Sequence, residues 1–241
     1  MRAGFMSADL LGIAEERRAV TQERSAPAKG RLLSINGWNP ENFAREQIQH
    51  LVRQLFRVSA TLSVRQVIFS ALERETDIQG ICLRVGQALA METFADVAVV
   101  AARPDTVGDV EPYFAPPDYY PRTPNGRLGK TAVRLGKNLW LVPDRVTQEQ
   151  HDSASLHVFL GELRHEFEYS IVQGQPAGES SMTTEMAQIA DGVVLVVSAE
   201  RTRRASACKI KEMLDAAQVR LLGAVLSDRE FPIPERIYRC L

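Results

Sequence analysis

The chain has little of what announces metal or disulfide chemistry. Its three cysteines, Cys82, Cys208 and Cys240, are an odd number with wide spacing and no C-x-x-C. That excludes a disulfide framework and suits free thiols in a reducing compartment. The four histidines, His50, His151, His157 and His165, form neither H-x-x-x-H nor H-E-x-x-H, so no metal site is expected. No apolar run reaches the length of about 18 residues that a membrane-spanning helix needs. The opening residues carry Asp9, Glu15 and Glu16, where a signal peptide has an unbroken apolar stretch. Excess charge of either sign is also missing. Lys plus Arg is 29 and Asp plus Glu is 30, a net charge of −1. Nothing therefore draws the whole chain to nucleic acid or an anionic membrane. The default expectation is a cytoplasmic protein with no nucleic-acid partner.

What is present is ordinary for a globular domain: 241 residues, 45% hydrophobic and 24% charged. Residues 1–40 read as an extension. Residues 5–20 have the spacing of an amphipathic helix, read as part of a mobile, partly disordered tail or else as a partner-docking helix, and a linker follows with Ser25, Pro27, Gly30, Gly37 and Pro40. From Glu41 the pattern becomes regular. Glu41 to Arg57 has helical spacing in Phe43, Ile48, Leu51, Val52, Leu55 and Phe56. Strands are expected at Val64–Ser70, Val97–Ala101, Leu139–Val142, Tyr169–Gln173, Val193–Ser198 and Leu221–Leu226. Helices are expected at Ile78–Met91, Ala154–Phe167, Thr183–Ala190 and Thr202–Ala217. Residues 102–137 hold six prolines and no period, so they read as a long irregular excursion. Strands such as VAVVA are apolar throughout, as in a sheet covered on both faces. Alternation with helices argues for a mostly parallel α/β sheet flanked by helices in three layers.

In such a sheet ligands sit beyond the carboxyl ends of the strands. The loops there read Ser70-Ala71-Leu72-Glu73-Arg74-Glu75-Thr76-Asp77-Ile78 after the first strand and Gln173-Gly174-Gln175-Pro176 after the fourth. Further on come Ala190-Asp191-Gly192-Val193-Val194-Leu195-Val196-Val197, Leu222-Gly223-Ala224-Val225-Leu226-Ser227 and a tail with Phe231, Pro232, Pro234 and Tyr238. From about residue 45 onward the chain resembles the bacterial tyrosine kinase and capsular polysaccharide regulator family of CpsD/CapB type. That family belongs to the MinD/ParA class of deviant Walker NTPases. The resemblance implies a P-loop NTPase fold.

The family's first loop typically reads S-x-x-P-G-E-G-K-S/T-T. Glycines there let backbone N–H groups approach phosphate, and the lysine neutralises charge. By resemblance the phosphate-loop positions are Glu73, Arg74, Glu75, Thr76, Asp77 and Ile78. The glycines fall on Arg74 and Thr76, the lysine on Asp77 and the magnesium-binding hydroxyl on Ile78. The family's two aspartates after the second strand fall on Ala101 and Arg103, and the one after the fourth on Gln173. Its base-contacting asparagine falls on Ser227. Mg²⁺ requires carboxylate oxygens and water, and the positions matched to the family's lysine and aspartates keep neither lysine nor the metal-binding carboxylates. No lysine lies between Gly30 and Lys130. No cofactor is therefore expected, with ATP and Mg only where the degenerate site still binds them.

The implied role is a catalytically degenerate tyrosine-kinase-like regulator or scaffold in exopolysaccharide biosynthesis or export. Its implied partner is a membrane polysaccharide co-polymerase or an active kinase paralogue, with possible self-association. Contact segments are expected at Glu41–Arg57 and Phe231–Leu241. Two alternatives stay open. One is a divergent kinase or ATPase that uses Lys130 and Lys137 as phosphate charges. The other is a ParA-like protein that binds DNA or a membrane surface through Arg201, Arg203, Arg204, Lys209 and Lys211. Ser180 and Ser181 read as a helix cap, Cys82 as a small core residue, and Trp38 and Trp140 as packing residues. Tyr113, Tyr119 and Tyr120 read as packing of the long loop, in a family whose kinases carry a tyrosine-rich tail.

Overall fold

The computed structural model describes residues 4–6, 40–56, 63–101, 126–144, 152–199 and 201–228. Strands β1 to β8 are Gly4–Met6, Gln66–Ala71, Val97–Ala101, Val133–Arg134, Leu139–Pro143, Tyr169–Gln173, Gly192–Ser198 and Leu221–Ser227. Helices α1 to α5 are Pro40–Phe56, Ile78–Thr93, Ser153–Glu166, Ser181–Ile189 and Arg204–Ala216. The expected strands and helices from residue 41 onward are all present, with their ends moved by one or two residues at most. Two strands are additional. β4 forms inside the segment expected to be irregular. β1 places residues 5 and 6 in a strand paired with Val225 and Ala224, which corrects the helix expected to begin there. The rest of that segment lies outside the described residues, as do Trp38, the linker, Arg103, residues 102–125 with their tyrosines, and the tail from residue 229.

The strands form one sheet in the order β1-β8-β7-β2-β6-β3-β5-β4. Its six central strands are parallel, and β1 and β4 pair antiparallel at the two ends. Apolar residues fill both faces of the inner strands, so both faces must be covered. Val67 and Phe69 of β2 pack under α1 and α2 with Leu51, Leu55, Ile81 and Leu89. Ile68, between them, packs on the other face with Leu160 and Leu163 of α3, Met186 of α4 and Leu214 of α5. The period of two along β2 thus feeds two separate cores. Gly86 lets α2 lie close on the sheet, because a Cβ there would stand 2.5 Å from Val99 Cγ2.

At the amino edge, Asp191 ties three elements together. Its Oδ2 accepts the backbone N–H groups of Arg65 at 2.7 Å and Gln66 at 2.8 Å, and Arg164 Nη2 donates to its Oδ1 at 2.8 Å. The next residue, Gly192, has φ +151°, and a Cβ there would stand 2.5 Å from Arg220 O. The Asp-Gly pair therefore sets the start of β7 beside β2 and β8.

Burial works against ionisation of Asp191. The two N–H bonds and Arg164 outweigh it and hold the carboxyl below its ordinary pKa. The folded pKa is depressed, so this stabilisation is present above the unfolded value of about 3.9 and is lost as pH falls through the folded value. Asp191→Asn is expected to lower stability by about 1–3 kcal/mol near neutral pH. Thermal melts of the variant should then decline less steeply than the parent's in acid. Equal acid sensitivity in both proteins would contradict the assignment.

Candidate functional site

The chain leaves β2 through α2 on one face of the sheet and leaves β6 through α4 on the other. Connections that diverge in this way open a crevice at the carboxyl ends of the two strands. The β2–α2 loop is at that point. Leu72 N donates to Val196 O at 3.2 Å and continues the ladder with β7 by one residue. The chain then turns, with Thr76 N on Glu73 O at 3.4 Å and Ile78 N on Thr76 O at 2.8 Å. Thr76 is buried, and Arg74, Glu75 and Asp77 are exposed.

A helix begins with backbone N–H groups that its own turns leave without acceptors. In α2 the position before the first turn is Asp77, whose Oδ1 accepts Gly80 N at 2.8 Å. Gly80 makes this fit, since a Cβ there would stand 2.2 Å from Asp77 Oδ2. Arg84 Nη2 lies 3.9 Å from the same carboxylate oxygen. The start of α2 thus holds a carboxylate of its own chain.

Three loops of the carboxyl edge are joined by side chains. Thr202 Oγ1 donates to Glu73 Oε2 at 2.5 Å and accepts Ser198 N at 3.0 Å. Arg74 Nε pairs with Glu179 Oε2 at 2.5 Å. Ser70 Oγ and Thr183 Oγ1 donate to Gln175 O at 2.6 and 2.9 Å. Gly174 N and Ala177 N bond to Phe69 O and Ala71 O at 2.8 and 2.9 Å, so residues 174–177 lie along the end of β2. No sequence spacing marks these ties, because the partners of Glu73 and Arg74 are 129 and 105 residues away.

The other described positions matched to the family's site also fall on this edge. Gln173 ends β6 and Ala101 ends the adjacent β3. Gln173 Oε1 is buried with no hydrogen-bond partner among the described residues. Ser227 ends β8, and its hydroxyl bonds Asp228 Oδ2 at 3.2 Å. Arg103 lies outside the described residues. Ser180 does cap α4, accepting Met182 N at 3.2 Å. Cys82 and Trp140 are core residues, 0% and 2% exposed. Burial, with the charge of Asp77, pushes the Cys82 thiol far up and keeps it un-ionised.

Lys130 and Lys137 are not part of this edge. Lys137 Nζ lies 5.8 Å from the Phe94 ring centroid, just before β5 begins. Lys130 follows Leu128 and Gly129, whose N–H groups donate to Glu166 at the end of α3. Both lysines are at the amino edge, away from the loop to which the divergent-kinase alternative would bring their charge. In the basic run, Arg201, Arg203, Arg204 and Lys209 are exposed, and Lys211 pairs with Asp215 at 2.9 Å.

Neither a family model nor a curated protein matches the chain. Solved structures do. The kinase domain of the Escherichia coli tyrosine kinase ETK aligns with a TM-score of 0.60 over 95% of this chain and 91% of that one, at 14% identity. The chain has the fold of a bacterial tyrosine kinase domain. The VpsO kinase domain aligns with a TM-score of 0.60 over 79% of this chain and 98% of that one, at 14% identity. The chimerical protein CapA2B2 gives 0.58 over 86% and 87%, at 14% identity. The structural alignment establishes the fold, and at 14% identity it leaves the chemistry to the residues.

Asp77→Ala removes the acceptor for Gly80 N and is expected to cost about 1 kcal/mol of stability. Chemical denaturation should show a lower midpoint with an unchanged slope. A variant as stable as the parent would show that the cap contributes nothing.

Proposed function

We propose that this chain is a catalytically degenerate tyrosine-kinase-like protein that acts as a regulator or scaffold in exopolysaccharide biosynthesis or export. The observation that carries the reading is the carboxylate of Asp77 at the start of α2. By resemblance that is where the family places a lysine, with phosphate bound to the loop. Two like unit charges about 4 Å apart repel by about 1 kcal/mol in water and about 4 kcal/mol at an effective dielectric near 20. Glu73 and Glu75 add charge of the same sign in the same loop.

The donor set does not fit Mg-ATP. Ile78 has no hydroxyl, Ala101 has no polar side chain, and Gln173 offers a neutral amide where a hard cation requires carboxylate. No catalytic step through nucleotide is therefore assigned. The divergent-kinase alternative loses its charge source, since Lys130 and Lys137 are at the other edge of the sheet. What the chain keeps is a packed sheet with its surface loops, which suits protein contact. The implied partner, a polysaccharide co-polymerase or an active kinase paralogue, rests on the family resemblance. No helix among the described residues is long and apolar enough to cross a membrane, and on this reading attachment at a membrane goes through that partner.

Calorimetric titration with Mg-ATP and Mg-ADP tests the reading. No binding is expected at nucleotide concentrations of about 1 mM, where even a weak site of about −4 kcal/mol would fill by half. Micromolar binding would overturn the degenerate assignment.

A further inference from the structure

The sheet has two side edges, and they differ. At one, β4 is only Val133 and Arg134, both exposed and one of them charged. Short length and charge keep an edge from pairing with other chains. At the other, β8 reads Leu221-Leu222-Gly223-Ala224-Val225-Leu226-Ser227, with no charge and no proline. Its inner side pairs with β7, with one irregularity where Leu221 and Gly223 face Val193 and Val194. The regular edge thus runs from Gly223 to Ser227. Its outer side pairs with β1 at Ala224, Val225 and Leu226. Among the described residues no strand pairs with the outer side of Gly223 or Ser227. The cover itself is weak. A strand of Gly4, Phe5 and Met6 makes few ladder bonds, and its glycine loses more backbone freedom on ordering than any other residue would. Its partner is at the far end of the sequence, so no hairpin turn fixes the pairing.

We propose that the outer edge of β8 is a docking site for an extended, uncharged segment of a protein partner, and that β1 is a removable cover on it. β1 shows the mode of binding. It runs antiparallel, with Gly4 opposite Leu226 and Met6 opposite Ala224, and its seated residues carry no charge. Backbone N–H and C=O groups of an edge strand supply affinity to such a segment, and its alternate side chains supply choice. A longer segment pairs with Gly223 and Ser227 as well as with the three positions that β1 fills, so it gains ladder bonds the cover does not make. A charged segment would meet no opposite charge on β8. Leu226, half-buried, offers apolar contact instead. The site does not use the β2–α2 loop, so it stands apart from the proposed loss of nucleotide chemistry.

Peptide binding to the whole chain tests this. The probe is a fluorescent peptide with the sequence of residues 1–9, Met1 to Asp9. Successive N–H groups of a strand point to opposite sides, so Phe5→Pro/Met6→Pro removes one donor that faces β8. That variant should bind the peptide about tenfold more tightly than the parent or better, because the parent's tethered strand competes at an effective concentration on the order of 1 mM. A peptide carrying the same two prolines should bind neither protein. Hydrogen exchange reads the cover itself. The amides of Ala224–Leu226 that face β1 should exchange about tenfold faster in the proline variant and regain protection with peptide, while those of β2 stay unchanged. Phe5→Gly/Met6→Gly keeps every N–H and should open the edge by a smaller factor. Should the prolines disturb β2 as well, the glycine variant carries the same comparisons. An opened variant that binds the peptide no better than the parent, a proline-bearing peptide that binds equally, or equal exchange at residues 224–226 in parent and variant would each overturn the proposal. A parent dimer in sedimentation that the prolines abolish would overturn it too, because the seat would then serve strand exchange between copies.

Discussion

A helix that starts at the crevice of a parallel sheet must find acceptors for its first N–H groups. Here that requirement falls on α2, which leaves the central strand of the sheet and packs against β3 through Gly86. The chain meets the requirement from within. Thr76 O takes the amide of Ile78, and the Asp77 carboxylate takes that of Gly80. Helix starts elsewhere serve as anion sites because those same amides are left open. Once a carboxylate of the chain takes the place, the rest follows. The loop carries negative charge, and its neighbours are side chains of the protein.

The sheet does not depend on any of this. The two cores contain apolar residues from every inner strand. Asp191 and Gly192 organise the opposite edge. A fold shared with kinase domains at 14% identity therefore rests on burial and backbone pairing, and the chemistry of the loops can change without touching it. The ties Glu73–Thr202 and Arg74–Glu179 then join these loops to one another.

The inner strands are legible in the sequence because each is a continuous apolar run, and VAVVA and VVLVV leave no other reading. Helix α1 is legible from its spacing alone. β4 is not, because two exposed residues, Val133 and Arg134, carry no period. Nor is β1, whose three residues open a segment with helical spacing and join the sheet only through a distant partner. At the site, the sequence makes legible only the residue types at Asp77, Ile78 and Gln173. That Asp77 caps its own helix is visible only in the spacing of Asp77 and Gly80, a weak signal with many other readings. The links of Glu73 and Arg74 have no local signal, since their partners come from loops placed by the sheet. The two lysines are illegible for a related reason. Nothing in the irregular segment tells which edge its end returns to, and the Phe94–Lys137 and Glu166 contacts decide it.

The most direct test of the account is the hydrogen-exchange rate of one amide, that of Gly80, measured by NMR in the parent and in Asp77→Ala. If the carboxylate satisfies the start of α2, the amide is protected in the parent and exchanges about tenfold faster or more in the variant, while amides in the middle of the helix change little. Equal rates at Gly80 in the two proteins would contradict the account, because the helix start would then hold no internal acceptor and would remain open to an external anion.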